Sequence, residues 1–361
     1  MTVLGFRHDF GNNWTEVVNT WCPGQPLGLP DETAWEALGV LERFWPEYLG
    51  DVLSRGIRAY PIMVEVIDIG LDLAACQKLR GFEGIVKRLR SGDEDVLPEV
   101  RFAAFLVDLG YDPVLDEEHH GKKPDALIVS EGQEIFIDVI SPHLSNEMTE
   151  AFAAMQKLAG VLLEKLSQRA INLRLDVYCL TSPNEVLDTV SCFLDHPLQP
   201  SLETVHELTG YALIKYSSRV NNPDSASVVP PDAPPPVLAV GVANQTNNNV
   251  LISYSVADER LKRKMSDKLN QFSPEEINLL VIDITRVPNG FKGWQPLLRR
   301  NLPPARNRRY SGVMLYRQLW NGTGRYLREW YFEQHPNPYK KLPPSFIEAL
   351  RMMEKEKAGF L

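Results

Sequence analysis

The segment EIFIDVIS, residues 134–141, constrains the fold of this chain more than any other stretch. In a strand its side chains alternate between two faces, one with Ile135, Ile137 and Val139 and the other with Phe136, Asp138 and Ile140. Both faces are apolar apart from one acid, as in a strand that is covered on both sides. A charge in the middle of such a strand is costly without compensation. The segment therefore predicts a strand covered on both faces and marks Asp138 as a functional candidate.

The neighbouring segments alternate between helical and strand patterns. Residues 98–110, PEVRFAAFLVDLG, predict a helix, with Pro98 suited to its first turn and Gly110 to its end. Strands are predicted near YDPVL and over DALIVS, and Glu131 and Gly132 predict a hairpin turn before EIFIDVIS. The helix AFAAMQKLAGVLLEKLSQ and the strand LRLDVYCL follow. We therefore expect an α/β fold with a mixed sheet flanked by helices.

The same patterning suggests how the chain is organised. The first 90 residues show apolar positions at helical spacing, and α/β patterning resumes after a Pro-, Ser- and Asn-rich loop. The expected parts are a helical N-terminal region over 1–90, a core over 91–345 with a long insertion at about 184–250, and a C-terminal helix over 346–361. Within the core, the helix–strand segments 151–180 and 257–284 look alike in outline.

The composition excludes several classes of protein. Hydrophobic residues make up 44% of the chain and charged residues 24%, as in soluble globular proteins. No apolar run reaches the roughly 20 residues that cross a bilayer, and the first residues lack a signal-peptide pattern. The four cysteines form no CxxC pair, which fits a reducing cytoplasm and argues against a zinc site. The chain also lacks GxxxxGK[ST], which argues against ATP hydrolysis.

Charge is distributed unevenly along the chain. Residues 91–150 contain 3 basic and 15 acidic side chains, a balance of −12, whereas residues 251–361 contain 20 and 11, a balance of +9. An acidic stretch beside a basic one suits a metal-dependent site that acts on a polyanion, although two solvated surfaces of opposite sign give the same pattern. The candidate phosphate contacts, with Trp294 and Tyr310 nearby for stacking, are Arg299, Arg300, Arg306, Arg308 and Arg309.

Glu99 lies at the start of the helix predicted over residues 98–110. Phe102, Ala103 and Leu106 follow it by three, four and seven positions and therefore share its face. A carboxylate in line with an apolar stripe points toward the core, where it needs a charge partner or a metal. The alternative is an acid that favours the positive end of the helix dipole.

Asp125 follows Pro124 in GKKPDALIVS, which places it at the entrance of a strand because proline cannot donate within a sheet. An ordinary turn aspartate is the alternative. With Glu99 and Asp138, it gives one helix acid and two strand acids that can converge across a hairpin. Converging carboxylate oxygens suit Mg²⁺ or Mn²⁺, which can activate water and neutralise a phosphodiester.

The runs LPEVRFAAFLVDLGYDP, GKKPDALIV and EIFIDVIS together resemble the core of the PD-(D/E)xK, or restriction-endonuclease-like, superfamily. The likeness spans residues 95–142, and DKLNQF–INLLVID and HPNPYKKLP resemble the distal part of some bacterial members more loosely. The resemblance implies an active site in which Glu99, Asp125 and Asp138 hold the metal. The chain departs from the motif at Ile140, where the motif's lysine should stand.

Some members of the superfamily carry this lysine on a neighbouring helix. In ADERLKRKMSDKLNQF the apolar stripe consists of Leu261, Met265 and Phe272, and Lys268 falls on that stripe. A lysine directed into the core is unusual, so Lys268 is the first candidate for the displaced lysine, although its head group can also snorkel to solvent. Lys165 is the second candidate and Lys123 the third.

Two functions follow from these residues. The first is metal-dependent cleavage of nucleic-acid phosphodiesters, DNA in preference to RNA, with Lys268 stabilising charge on the phosphate. The second is a scaffold of the same fold that has lost catalysis and binds nucleic acid or protein, which Ile140 favours. The resemblance suggests a role in bacterial restriction or anti-phage defence, with a second copy of the chain or another protein of a defence complex as partner.

Overall fold

The structure is a computed structural model that describes residues 31–55, 60–93, 95–119, 121–142, 146–168, 173–196, 205–217, 228–230, 232, 237–243, 248–255, 260–285, 287, 290–320 and 326–358. Residues 1–30 of the predicted N-terminal region and most of the predicted Pro-rich loop lie outside these ranges. The described residues form an α/β fold with two mixed sheets, which confirms the predicted class. No described helix combines the length and apolar character that crossing a bilayer requires.

The chain divides into two compact units. The first unit contains residues 1–141, 264–285 and 298–361, and the second contains residues 142–263 and 286–297. The described residues of the first unit begin with five helices: α1 (Asp31–Phe44), α2 (Pro46–Arg55), α3 (Tyr60–Cys76), α4 (Phe82–Arg90) and α5 (Val96–Asp108). Three strands follow: β1 (Val114–Leu115), β2 (Ala126–Ser130) and β3 (Gln133–Ile140).

The second unit has a sheet and a hydrophobic core of its own. Its elements are α6 (Asn146–Ser167), β4 (Arg174–Cys179), α7 (Pro183–Asp195), β5 (Val205–Leu208), β6 (Ala212–Ser217), β7 (Val237–Ala243) and β8 (Asn249–Ser255). The strand order is β5-β6-β4-β8-β7, with only β4 and β8 parallel. The helix α6 packs on α7, β7 and β8.

The remaining elements are α8 (Arg260–Leu269), β9 (Ile277–Asp283), α9 (Gly290–Asn301), β10 (Gly312–Trp320), β11 (Tyr326–Gln334) and α10 (Pro344–Ala358). The sheet of the first unit has the order β1-β2-β3-β9-β10-β11. Strands β3, β9 and β10 run parallel at its centre, and the outer pairs are antiparallel. The parallel centre explains the apolar character of β3 on both faces.

The N-terminal helices belong to the same hydrophobic core as this sheet. Every residue of α5 from Val96 to Leu106 is buried, because one side of the helix packs on β3 and another on α3. A helix that is buried all round needs cover on its outer side, which the N-terminal helices supply. The C-terminal helix α10 joins this core through Phe346 and Leu350.

One grouping differs from the sequence prediction. The helix–strand segment 151–180, which the patterning places around the same mixed sheet as EIFIDVIS, forms α6 and β4 of the second unit. The strand that lies beside β3 is instead β9, from the similar segment 257–284. The second unit begins at Pro142, well before residue 184. Periodicity identifies a helix followed by a strand, but it does not specify which sheet that strand joins.

Candidate functional site

Three elements of the first unit position the predicted acids. Asp138 lies in β3, Asp125 directly precedes β2, and Glu99 lies in the first turns of α5. The hairpin that joins β2 to β3 turns through Glu131 and Gly132, which both have positive φ (51° and 73°) as in a type I′ turn. This turn confirms the predicted hairpin, and the resulting register sets Asp125 beside the end of β3.

A hydrogen bond fixes Asp125 against β3. Its Oδ2 accepts a hydrogen bond from the backbone N–H of Val139 at 2.7 Å. Val139 follows Asp138 directly, so the two aspartates are held close together. Glu99 is 6% exposed and Asp138 is 8% exposed, which places both predicted acids in the interior.

Repulsion between neighbouring acids raises the pKa values of Glu99 and Asp125. Burial raises the pKa of Asp125 to about 6, and the charge of Asp138 adds to the rise. Burial also raises the pKa of Glu99 to about 8, with a further contribution from Asp125. The pKa of Asp138 is raised by burial and is opposed mainly by Lys268. Negative charge in this cluster is therefore costly, and a bound cation would relieve the cost.

Lys268 lies where the sequence analysis predicts a lysine. Its Nζ is 3.6 Å from Oδ2 of Asp138, and its side chain is about a quarter exposed. Leu261 and Met265 are buried on the same helix, so the apolar stripe of α8 directs Lys268 toward β3. The Tyr310 hydroxyl donates a hydrogen bond to the backbone carbonyl of Met265 and anchors the helix at this point.

The two alternative lysines pair with other acids. Lys165 pairs with Asp195 at 2.8 Å and donates to the backbone carbonyl of Ser191, both in the second unit. Lys123 pairs with Asp116 at 2.8 Å. Neither contact involves Asp138, so of the three candidates Lys268 is the lysine that pairs with this acid.

Arg88 is a site residue that the sequence analysis missed. Its Nη1 and Nη2 each lie 2.8 Å from a different carboxylate oxygen of Glu99, the bidentate geometry of a strong ion pair. Its Nε also donates to Asp93 at 3.1 Å, and Asp116 lies 3.5 Å from Nη1. The available signal was its position in α4, three residues after buried Ile85 and therefore beside the apolar stripe of that helix.

Glu99 differs from the two aspartates in its partner, which is Arg88. Within the described ranges, no three His, Cys, Asp or Glu side chains form a group that could hold a metal ion. Asp125 and Asp138 are the adjacent pair, and hard oxygen donors of this type suit Mg²⁺. Both oxygens of Glu99 accept hydrogen bonds from Arg88, so this acid already has a cationic partner.

A pocket of about 310 Å³ lies next to Asp138. Its apolar lining comes from Pro124, Phe136 and Phe272, and its polar lining includes Lys122 and Gln271. Lys122 and Glu276 form an ion pair at 2.6 Å between the loop before β2 and the loop before β9. The site therefore combines buried acids with a concave surface of mixed character.

The predicted arginines fall into two groups. Arg300 and Arg306 are exposed, as is Arg299, whose Nε lies 2.6 Å from the Tyr331 hydroxyl. Arg308 and Arg309 instead donate to backbone carbonyls, those of Asn337 at 2.9 Å and Leu269 at 3.3 Å. These two side chains tie their own loop to neighbouring backbone.

The aromatic partners proposed for the arginines are wrong. Trp294 and Tyr310 are both fully buried, so neither ring offers a face to a nucleic-acid base. The Tyr310 ring packs edge-on against Phe272, with centroids 5.2 Å apart. Both residues lie in polar, arginine-rich sequence, and only the packing shows that they are core residues.

Comparison with protein-family models, curated proteins and solved structures found no significant match for this chain.

Proposed function

We propose that this chain is a metal-dependent nuclease with a restriction-endonuclease-like core. The observation that carries the proposal is Lys268 Nζ at 3.6 Å from Asp138, with Asp125 bound to the next backbone amide of the same strand. Two acids held this close together in the interior are costly for a purely structural core, and the lysine beside them suits phosphodiester chemistry. The arrangement of a helix acid, a strand-entrance acid and a strand acid also supports the resemblance seen in the sequence.

Each residue has a definite role in this proposal. Asp125 and Asp138 would hold Mg²⁺ or Mn²⁺, and such a cation supplies an activated water and neutralises phosphate charge when bound. Lys268 donates hydrogen bonds to a non-bridging phosphate oxygen and stabilises the charge that develops there. Asp138 orients Lys268 through the ion pair. Glu99 would supply a third oxygen donor, and Arg88, its partner in the structure, would bind the phosphate in the same bidentate fashion.

A second function has its own support. Ile140 stands at the motif's lysine position, and Arg88 holds both oxygens of Glu99. A scaffold that has lost catalysis and binds nucleic acid or protein accounts for both features, because an arginine can neutralise a buried acid permanently. The retained ion pair between Lys268 and Asp138 favours the nuclease.

The test is cleavage of labelled DNA and RNA, single- and double-stranded, with Mg²⁺ or Mn²⁺. Asp138→Asn keeps the shape of the side chain but removes its charge, and we expect it to lower the rate by at least about a hundredfold. Asp176→Asn is the matched control, since Asp176 is a buried strand acid of the second unit that pairs with Arg174. Binding without cleavage by the wild type would establish the non-catalytic scaffold.

The biological setting is proposed on the resemblance alone. We propose DNA as the preferred substrate, the cytoplasm as the location, and bacterial restriction or anti-phage defence as the role. A second copy of the chain or another defence protein is the proposed partner.

A further inference from the structure

We propose that the pocket beside Asp138 receives one unpaired nucleobase, so that the substrate is single-stranded or locally opened nucleic acid. The inference rests on the proposed function, because it takes the scissile phosphate to lie at Asp138 and Lys268. It adds the substrate class, which neither the acids nor the lysine specify.

The position of the pocket relative to the acids supports the inference. Phe136 and Asp138 point to the same face of β3, two residues apart, and both line the pocket. Two residues of a strand span about 7 Å. A phosphate held at Asp138 therefore places the adjoining nucleoside over Phe136, inside the concave surface.

The size and lining of the pocket favour a base over a duplex groove. A volume of about 310 Å³ is at the lower end of the range for small-molecule sites, which suits one nucleotide unit. Phe136, Phe272 and Pro124 supply apolar surface for a base, and the Gln271 amide can pair with its polar edge. In double-stranded DNA that base is stacked, so it must leave the helix before it can enter.

The rim carries positive charge where the backbone would pass. Lys122 and Lys123 are adjacent, and both line the pocket. Each is paired with a carboxylate in the structure, Lys122 with Glu276 and Lys123 with Asp116. Both lysine side chains remain partly exposed, at 31% and 56%, and can turn toward a phosphate. This combination of basic rim and aromatic wall is how proteins hold single strands.

The test measures binding apart from cleavage, by fluorescence anisotropy in Ca²⁺. Three labelled oligonucleotides of equal length are compared: a single strand, a duplex, and a single strand whose sugars carry no bases. We expect the ordinary single strand to bind at least tenfold more tightly than the other two. Gel analysis shows whether each oligonucleotide stays intact during the measurement.

One variant pair tests the pocket itself. Gln271 is exposed and lines the pocket, so Gln271→Trp should fill the pocket without disturbing the core. We expect this variant to weaken single-strand binding at least tenfold. Asn270→Trp adds the same bulk at the neighbouring exposed residue, which does not line the pocket, and should change binding less than twofold. Melting temperatures of both variants check that the fold is retained.

Two results would overturn the inference: equal affinity for the strands with and without bases, or unchanged binding by Gln271→Trp. Failure of the nuclease proposal is seen separately, as absent cleavage in Mg²⁺ and Mn²⁺. Tight, base-dependent binding that Gln271→Trp disrupts would support the pocket even in an inactive protein. Cleavage without base-dependent binding would support the nuclease and exclude the base pocket.

Discussion

At the scale of single residues, the site is defined by charges that the fold buries close together. Lys268 faces Asp138, and Arg88 faces Glu99. The charge of Asp138 raises the pKa of Asp125, and the charge of Asp125 raises the pKa of Glu99. Each cation opposes part of the cost of a buried carboxylate, and neither removes it. The cluster is therefore poised to gain from a further positive ion.

Lys268→Met should lower the rate of nucleic-acid cleavage by about 10²–10³-fold, the effect of losing a donor that stabilises transition-state charge. Methionine keeps the unbranched stem, so packing along α8 is preserved. Lys262→Met is the control, because Lys262 is an exposed lysine of the same helix. The measurement is a single-turnover rate in Mg²⁺. A wild-type rate for Lys268→Met would mean that another group stabilises the phosphate.

Asp125→Asn should change how stability depends on pH. The folded pKa of Asp125 is about 6, above its ordinary value of 3.8. Between these values the folded state keeps a proton that the unfolded state releases, so the free energy of unfolding falls as pH rises through this window. Asparagine does not titrate, so the free energy of unfolding of the variant should fall less than that of the wild type as pH rises.

Urea denaturation in EDTA from pH 4 to pH 8 measures this effect. The stability of Asp125→Asn relative to wild type should increase up to about pH 6 and then level off. Asp112→Asn, at an exposed residue, controls for the change in net charge. A constant difference between Asp125→Asn and wild type would contradict the raised pKa.

At the scale of elements, a close approach of backbone to backbone sets where α4 begins. The start of α4 in turn sets the position of Arg88. Gly81 precedes α4 with a φ of +86°, and a Cβ there would lie 1.6 Å from the backbone oxygen of Leu115 in β1. The neighbouring Arg80 carbonyl accepts a hydrogen bond from the Leu115 N–H at 2.8 Å. Only glycine satisfies both the left-handed backbone and this contact.

Gly81→Ala should lower the free energy of unfolding by more than about 4 kcal/mol, because it combines backbone strain with a steric clash. Gly92 is the matched control, since it has a similar φ of +82° but a Cβ added there would meet no atom within 4 Å. Gly92→Ala should therefore cost only the left-handed strain, about 1–2 kcal/mol. Chemical denaturation measures both. Equal losses would show that the contact with β1 can relax.

The strand β3 offers a second test at this scale. Ile140 shares a face with Asp138, so a lysine there would point toward the acids. In the Lys268→Met background, Ile140→Lys should restore at least about tenfold of the lost cleavage rate, because it returns a cation to the motif position. The single variant Ile140→Lys checks folding. A folded double variant with no recovery would show that the strand position cannot serve the phosphate.

At the scale of the whole molecule, the acidic stretch and the basic stretch of the chain contribute different groups to the candidate site. The acidic stretch 91–150 contains the three acids of the candidate site, whereas the basic stretch 251–361 contains both Lys268 and the exposed arginines. Arg300 and Arg306 are the arginines best placed to contact a phosphate backbone, because Arg308 and Arg309 hold backbone carbonyls.

Arg300→Gln combined with Arg306→Gln should weaken nucleic-acid binding and reduce its salt dependence. Each lost phosphate contact lowers the slope of log K against log salt by roughly 0.7 for a single strand. Arg351→Gln in α10 is the control for net charge, since Arg351 is also exposed. Affinity is measured over a series of salt concentrations. An unchanged slope would place the phosphate contacts elsewhere.

The sequence by itself determined the elements around the site and the direction of several side chains. Alternation in EIFIDVIS predicted β3 and a buried Asp138, the Glu131–Gly132 pair predicted the hairpin, and the apolar stripe of α8 predicted that Lys268 points inward. These properties follow from the repeats of strand and helix, which depend only on neighbouring residues.

Only the tertiary structure decided what each of those side chains meets. It paired Arg88 with Glu99, buried Trp294 and Tyr310, and placed α6 and β4 in a sheet of their own. Periodicity tells which face of an element is covered, but not which other element covers it. That choice depends on packing between segments far apart in the chain. The strand β9 pairs with β3, whereas β4, which has a similar pattern, belongs to the other sheet.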